Sequence, residues 1–276
     1  MKNFIIGDIH GAGQELEGLL DQMAPTSDDR VHLVGDIFDR GLHAHRVWDC
    51  LKRVKTVYMG NHEYKTLNWL KGGRDWLPKQ YYVALNLLIE HGVTPNELLE
   101  WHSGLPWLED HGEFLVTHAG VVLDNILELS SDMNIFYSIG RNYPGDKVDG
   151  AGACWWDLYK GDKLVLYGHL VCPDNMPRVR RNAAGDVNSI GLDTAAVHGG
   201  PLTGYCVEED RFYQFRSGID WGKQCEDQMN AASPIIHPDL VSFVRGQREK
   251  VLSLGKIETP APNGDIESKT QVGNVE

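Results

Sequence analysis

No apolar run in the chain approaches the roughly 18 residues that a membrane-spanning helix needs, and the mean hydropathy of −0.34 excludes an integral helical membrane protein. Positive charge is scarce: 26 Lys and Arg stand against 39 Asp and Glu, a net charge of −13. An acidic surface repels nucleic acid and anionic lipid, and the densest basic group, Arg178, Arg180 and Arg181, is too small to reverse this. Neither membrane nor nucleic acid is therefore an expected partner. Cys50, Cys154, Cys172, Cys206 and Cys225 are odd in number, far apart and never in a Cys-x-x-Cys pair. That argues against a disulfide framework or a thiolate zinc site and points to a reducing, cytoplasmic setting. The opening MKNFIIGDIHG lacks the apolar stretch and cleavage site of a secretory leader and reads as a first strand. What remains is a chain of 276 residues, 42% hydrophobic, long enough to bury a sizeable core.

Apolar runs of strand length alternate with helical periodicity, the pattern of an α/β domain. FIIG at 4–7 precedes a helical stretch from about Gln14 to Met23, VHLVG at 31–35 a second near His43 to Val54, and TVYMG at 56–60 a third from about Asn61. Each run ends in glycine, and a charged, amide or imidazole group follows within a residue or two. In open α/β sheets that end of the strands is where ligands bind. From 67 to 110 the chain turns helical and aromatic, with Trp69, Trp76, Tyr81, Tyr82, Trp101 and Trp107, rings expected to fill the core more than to stack on a substrate. EFLVTHAG at 113–120 and KLVLYGH at 163–169 read as two more buried strands, and TGYCVEEDRFYQF at 203–215 as a hairpin turning at Glu208 to Asp210. The expected division is a catalytic unit at 1–215 carrying the helical insert at 67–110, then an appendage at 216–254 with one amphipathic stretch around Leu240 to Val251. A polar tail at 255–276 is expected to be disordered.

Five segments concentrate the chemistry: GDIHG at 7–11, GDIFDRG at 35–41, GNHE at 60–63, THAG at 117–120 and YGH at 167–169. They supply Asp8, His10, Asp36, Asn61, His118 and His169, a mixed set of carboxylate, amide and imidazole donors. Such donors suit Mn, Fe, Zn or Ni better than Ca, which prefers oxygen alone. Six of them exceed the needs of one zinc ion and match two ions sharing a carboxylate. Any one of these residues alone reads as a helix cap or a satisfied core histidine; five segments, each with such a group at a strand end, do not. Arg40 offers a planar fork for phosphate oxygens, or for a neighbouring carboxylate.

In this order and spacing the five segments resemble the phosphoprotein phosphatase branch of the calcineurin-like metallophosphoesterases, over about residues 3–208. The chain is similar in style to bacterial and phage members such as the lambda protein phosphatase and the symmetrical diadenosine tetraphosphatases. SIGLDTAAVHGGPLTGY at 189–205 is similar to their closing strand pair. The resemblance implies an α/β fold, a β-sandwich flanked by helices on both faces with a dinuclear site at strand carboxyl ends. It implies two divalent ions, Mn first among the candidates: Asp8 and His10 on one, Asp36 bridging, and Asn61, His118 and His169 on the other. It implies that His62 protonates the leaving oxygen while Asp39 orients it, with Glu63 in a supporting role. Attack by a hydroxide bridging the two ions is the implied chemistry.

The substrate is less sharply marked. The protein phosphatases carry Arg before GNHE and another after a Trp ahead of the last strands, where this chain has Met59 and Asp157. Arg74, Arg141 and Arg178 are the candidates to replace them. The first expectation is a phosphomonoester of protein Ser/Thr or of a small metabolite. The alternative is a dinucleoside polyphosphate, against which Glu63 counts because tetraphosphatases show Asp there; a silent binding module is a third reading.

Overall fold

The structure, a computed structural model, describes residues 1–121, 123 and 154–253. The expected tail at 255–276 and Arg141 lie outside them. The first half runs β1 (Asn3–Ile6), α1 (Gly13–Met23), β2 (Arg30–Leu33), α2 (Ala44–Cys50), a 3-10 turn (Leu51–Arg53), β3 (Thr56–Val57) and α3 (Asn61–Leu70). The helical insert adds α4 (Lys79–Glu90) and α5 (Pro95–Ser103). Then come β4 (Leu108–Asp110), β5 (Phe114–Thr117), α6 (Trp155–Leu158), β6 (Leu164–Tyr167), β7 (Arg178–Arg181), β8 (Val187–Gly191), β9 (Leu202–Cys206), β10 (Arg211–Phe215), α7 (Trp221–Ala231) and α8 (Pro238–Ser253).

The strands form two five-stranded sheets, ordered β10-β9-β1-β2-β3 and β4-β5-β6-β8-β7. In the first, β1 runs parallel to β2 and β2 to β3; in the second, β5 runs parallel to β6 and β6 to β8. Each sheet therefore presents three strand carboxyl ends in a row. The hairpin expected at 203–215 is β9 with β10, paired antiparallel from Cys206–Arg211 to Leu202–Phe215. The closing strand pair expected at 189–205 is not a pair: β8 ends the parallel set of the second sheet, and β9 crosses to β1 of the first.

Alternation along the strands builds the layers. Phe4 and Ile6 face α1 and α2, in a core with Leu16, Leu19, Leu20 and Val47, while Ile5 faces the other way. Ile5 meets Val34, Val116, Leu166, Ile190 and Leu192 between the sheets. Leu115, Val165 and Tyr167 turn outward under Trp155, Trp156 and Tyr159. Burying each aliphatic side chain of the middle layer is worth about 1.5–3 kcal/mol, which holds the two sheets face to face.

Two edge strands, β4 and β7, and helix α7 were not expected from the sequence. LED and RVRR are short and charged because edge strands need to bury only one side. Asp220 caps α7 by accepting from Lys223 N–H at 2.8 Å, and α7 buries only Trp221 and Cys225. Trp221 Nε1–H donates to Glu15 Oε2 at 2.8 Å, tying α7 to α1. The expected stretch at Leu240–Val251 is the middle of α8, which packs on α3 and α5 through Leu240 and Val244. Among the described residues no helix is long and apolar enough to cross a membrane.

Candidate metal centre

The six expected ligands converge where the two rows of strand ends meet. Asp8 follows β1, Asp36 follows β2 and Asn61 opens α3 just after β3; His118 follows β5 and His169 follows β6. Three groups of side chains have ligand atoms within 4.8 Å of one another: Asp8, His10 and Asp36; Asp36, His118 and His169; His10, Asp39 and His62. Asp36 is common to the first two. Its Oδ2 lies 3.6 Å from His10 Nε2 and its Oδ1 3.4 Å from His118 Nε2. Asp8 spans the seam, both its oxygens accepting from the His169 backbone N–H at 3.0 and 3.1 Å.

Local backbone geometry makes these approaches possible. His10, Asp36, Arg40 and His169 have φ of 48°, 54°, 72° and 71°, the left-handed region that side chains with a Cβ avoid. Each such residue costs of order 1–3 kcal/mol and persists only where its surroundings over-determine it. A Cβ on Gly60 would collide with Asp36 Oδ1, and one on Gly168 with Asp8 Oδ1, so both motif glycines give room to a carboxylate. Glu63 does not face the site. Its carboxylate accepts from the N–H groups of Asp36 at 2.7 Å, Ile37 at 3.0 Å and Gly60 at 3.2 Å, locking the loop after β2 to the start of α3. Asp in its place would be a methylene short of those donors, so the position reports loop packing and says nothing against a tetraphosphatase.

The donor chemistry fits a divalent cation. His118 Nδ1 lies 3.0 Å from Val34 O and donates to it, which turns Nε2 inward. The inner end of the Asn61 amide sits 3.1 Å from that Nε2 and 3.2 and 3.0 Å from the two Asp36 oxygens; its nitrogen placed there donates to Asp36, and its oxygen placed there would add a lone pair for a cation. Burial lowers the affinity of His118 for a proton, but the Asp36 charge outweighs it and pushes the imidazole up to about 9, so without a metal a proton occupies the place. A metal would displace it. Burial likewise raises Asp36, yet His118 and His62 hold its carboxyl well below the usual range. Burial and then His118 lower His169 to about 3, leaving it a neutral donor.

Beside these ligands lies the pair expected for proton transfer. His62 Nδ1 is 2.7 Å from Asp39 Oδ2, and the ring is 5% exposed at the residue level. Burial lowers the proton affinity of His62, but Asp36 and Asp39 reverse this and raise it. Arg40 does not pair with a carboxylate: its Nη2 lies 3.1 Å from His62 Nε2, on the side facing the donor cluster. Of the two places where protein phosphatases carry Arg, Met59 is buried against Leu67, and Asp157 pairs with Arg180 at 2.7 Å. Arg178 lies over the Trp156 ring at 4.3 Å, and Arg74 Nε–H donates to Trp76 O at 3.0 Å.

Three residues join the site that the motifs did not single out. Tyr81, from α4, stacks on His62 with planes 8° apart, its Oη 2.8 Å from His62 Nδ1. Only tertiary contact reveals it, since in sequence it is one ring among many. Asp193 follows β8 as Asp8 follows β1; burial raises the proton affinity of Asp8, and the charge of buried Asp193 adds to it. A strand-terminal Asp was the signal that would have found it. Lys65, one turn beyond Asn61 on α3, brings Nζ within 3.3 Å of the outer end of the Asn61 amide, whose oxygen accepts from it when the amide is turned that way.

The model of the calcineurin-like phosphoesterase family matches residues 1–216. The asymmetrical bis(5'-nucleosyl)-tetraphosphatase PrpE of Bacillus cereus (strain AH187) is 31% identical over 241 residues, covering 74% of this chain and 89% of that protein. The crystal structure of a candidate diadenosine tetraphosphatase superposes with a TM-score of 0.61 at 22% identity, covering 78% of this chain and 93% of the other. A protein serine/threonine phosphatase of Saccharomyces cerevisiae superposes with a TM-score of 0.54 at 16% identity over 79% and 80%. At those identities the two structures speak for the fold alone. Sequence match, sheet topology and converging donors agree: the chain belongs to the calcineurin-like phosphoesterases and is a hydrolase of phosphate esters or anhydrides.

Proposed function

We propose that this hydrolase acts on dinucleoside polyphosphates, cleaving a phosphoanhydride asymmetrically. The observation that carries the reading is the fate of the two Arg positions: Met59 lies in an apolar cluster and Asp157 is paired with Arg180, so neither brings charge to the centre. A dianionic phosphomonoester is the substrate most weakened by that loss; an anhydride, with about one charge per inner phosphorus, needs less. The similarity to asymmetrical tetraphosphatases supports the same choice. It moves ahead of the protein Ser/Thr or metabolite phosphomonoester, and asymmetrical takes the place of symmetrical. Among the aromatics of the insert, Trp69, Tyr81 and Tyr82 are core, but Trp76 is 56% exposed with Arg74 5.2 Å above its ring, a surface on which a base can stack.

In this proposal Asp8 and His10 hold one divalent ion, Asp36 bridges, and Asn61, His118 and His169 hold the other, with Mn the first candidate among Mn, Fe, Zn and Ni. Bound there, the ions would neutralise phosphate oxygens and bring a water's pKa toward 7. Asp39 keeps His62 charged and fixed through Nδ1, so that Nε2 gives its proton to the leaving oxygen. Arg40, next to that nitrogen, holds a non-bridging oxygen. Residues 1–215 form the catalytic unit with its insert, 216–254 its appendage, and the setting is cytoplasmic. The test is hydrolysis of diadenosine tetraphosphate by the Mn-loaded protein beside a phosphoserine peptide. ATP and AMP as products, with the peptide untouched, are expected; two ADP, or faster release from the peptide, would overturn the reading.

A further inference from the structure

We infer that Lys65, with the amide nitrogen of Asn61, forms the anion subsite that takes over from the absent Arg positions. Lys65 stands four residues after Asn61 on α3, hence on the same helix face one turn further on. Reversed, the Asn61 amide satisfies itself, its nitrogen donating to Asp36 and its oxygen accepting from Lys65 Nζ at 3.3 Å. In the proposed ligand set, however, Oδ1 turns to the ion shared with Asp36 and His118, so Nδ2 would face Lys65 Nζ and the two donors would be left without an acceptor. An oxygen about 2.9 Å from each closes the triangle with ordinary geometry. The contact also explains the side chain's unusual isolation: Lys65 is half-buried, yet among the described residues it makes no ion pair within 4.0 Å. Burial lowers its hold on a proton, Asp36 and Asp39 oppose this, and Arg74 and Arg40 are the other cations in its field.

These features select a phosphate oxygen rather than a carboxylate of the protein. A Lys ammonium is a compact point charge with three donors, whereas Arg grips two oxygens as a planar fork. One point charge beside Asn61 suits a phosphorus that bears a single negative oxygen, as each inner phosphate of a polyphosphate chain does. Lys65 is thus a substrate-positioning residue that favours anhydrides over monoesters. The inference rests on the phosphoesterase reading of the centre, and not on which nucleoside the substrate carries.

The experiment is calorimetric titration of the Mn-loaded full chain with inorganic phosphate and with tripolyphosphate, for the wild type, Lys65→Met and Lys65→Arg, with bound Mn counted in each. A charge-assisted hydrogen bond lost from the subsite weakens binding of both probes by about ten- to a hundredfold in Lys65→Met. Lys65→Arg, which keeps the charge, is expected to recover most of that, and all three proteins keep the same Mn content. With diadenosine tetraphosphate the Met variant raises KM by a similar factor and changes kcat less. Unchanged anion binding in Lys65→Met would overturn the inference, as would loss of Mn from that variant, which would mean that Lys65 acts through Asn61 on the metal. Lys65→Gln serves if the Met variant does not fold. A wild type that binds the anions through Lys65 but cleaves no dinucleotide sinks the proposed substrate and leaves the subsite standing.

Discussion

The two sheets deliver their side chains to the centre by the same construction and with different chemistry. Each has three parallel strands, β1, β2 and β3 in one and β5, β6 and β8 in the other, and the chain after each strand carries at least one group of the centre. The first sheet gives Asp8, His10, Asp36 and Asn61, three of the four through oxygen; the second gives His118, His169 and Asp193. The oxygen-rich side also carries Asp39, His62 and Arg40, the groups proposed to handle the proton and face the anion, so in that proposal it combines metal binding with reactivity. The imidazole-rich side has no such addition among the described residues. On the proposed roles, the difference teaches that the first sheet's loops decide what the centre does, while the second sheet would complete the ligand set.

The sharpest way to break this asymmetry is Asp36→Asn, because the Asp36 carboxylate touches imidazoles from both sides, His10 at 3.6 Å and His118 at 3.4 Å. Its kcat/KM is expected to fall by about a thousandfold or more, with both metals weakened, measured by turnover and metal content together. His62→Asn attacks the reactive side alone. It should cut hydrolysis of an alkyl phosphate by about 10²–10⁴-fold and of p-nitrophenyl phosphate far less, since nitrophenolate leaves without protonation. Equal losses on both would remove His62 as the acid.

His169→Ala attacks the other side. Bound metal is expected to drop from two equivalents toward one, and affinity for the remaining ion to stay within about tenfold; loss of both would show that the halves are not separable. Tyr81→Phe is milder: without the hydroxyl 2.8 Å from His62 Nδ1, the acidic limb of the pH–rate profile moves while metal content does not, with activity changed by about tenfold at most. The smallest effect is on stability. Away from the centre the fully buried histidines, His32 on β2 and His102 on α5, lie on the first sheet's side. Burial lowers His102 to about 4, below its unfolded value of about 6.5. The unfolded chain therefore binds the extra proton first, and stability falls as pH drops through that window, by about 1.4 kcal/mol per unit for this group. Urea unfolding at stepped pH should show a shallower slope in His102→Asn.

Much of this arrangement was legible in the sequence because a strand end followed by a metal-competent residue is a local signal. Asp8, His10, Asp36, Asn61, His118 and His169 all carry it, and the structure brings five of them into ligand-sized groups with Asn61 3.1 Å from His118. Asp193 carries it too, but lies inside 189–205, which reads as a strand pair although its strand and the next belong to different sheets. Tyr81 and Lys65 carry no local signal: helical periodicity makes one a core aromatic and the other an exposed charge, and only the packing of α4 and α3 against the centre gives them roles. Helix α7 escaped notice because so few of its residues are buried that no apolar period shows. Short charged β4 and β7 escaped for the matching reason at the sheet edges.

The left-handed backbone of His10, Asp36, Arg40 and His169 sets activity against robustness. At each of these positions glycine would adopt the observed φ without strain, so the substitution that destroys the side chain's chemistry also relaxes the fold. A descendant chain released from catalysis would gain stability by accepting glycine at these very positions. In a set of such chains, loss of function at this centre would be recognisable as thermal hardening, with His169→Gly melting higher than the enzyme it came from.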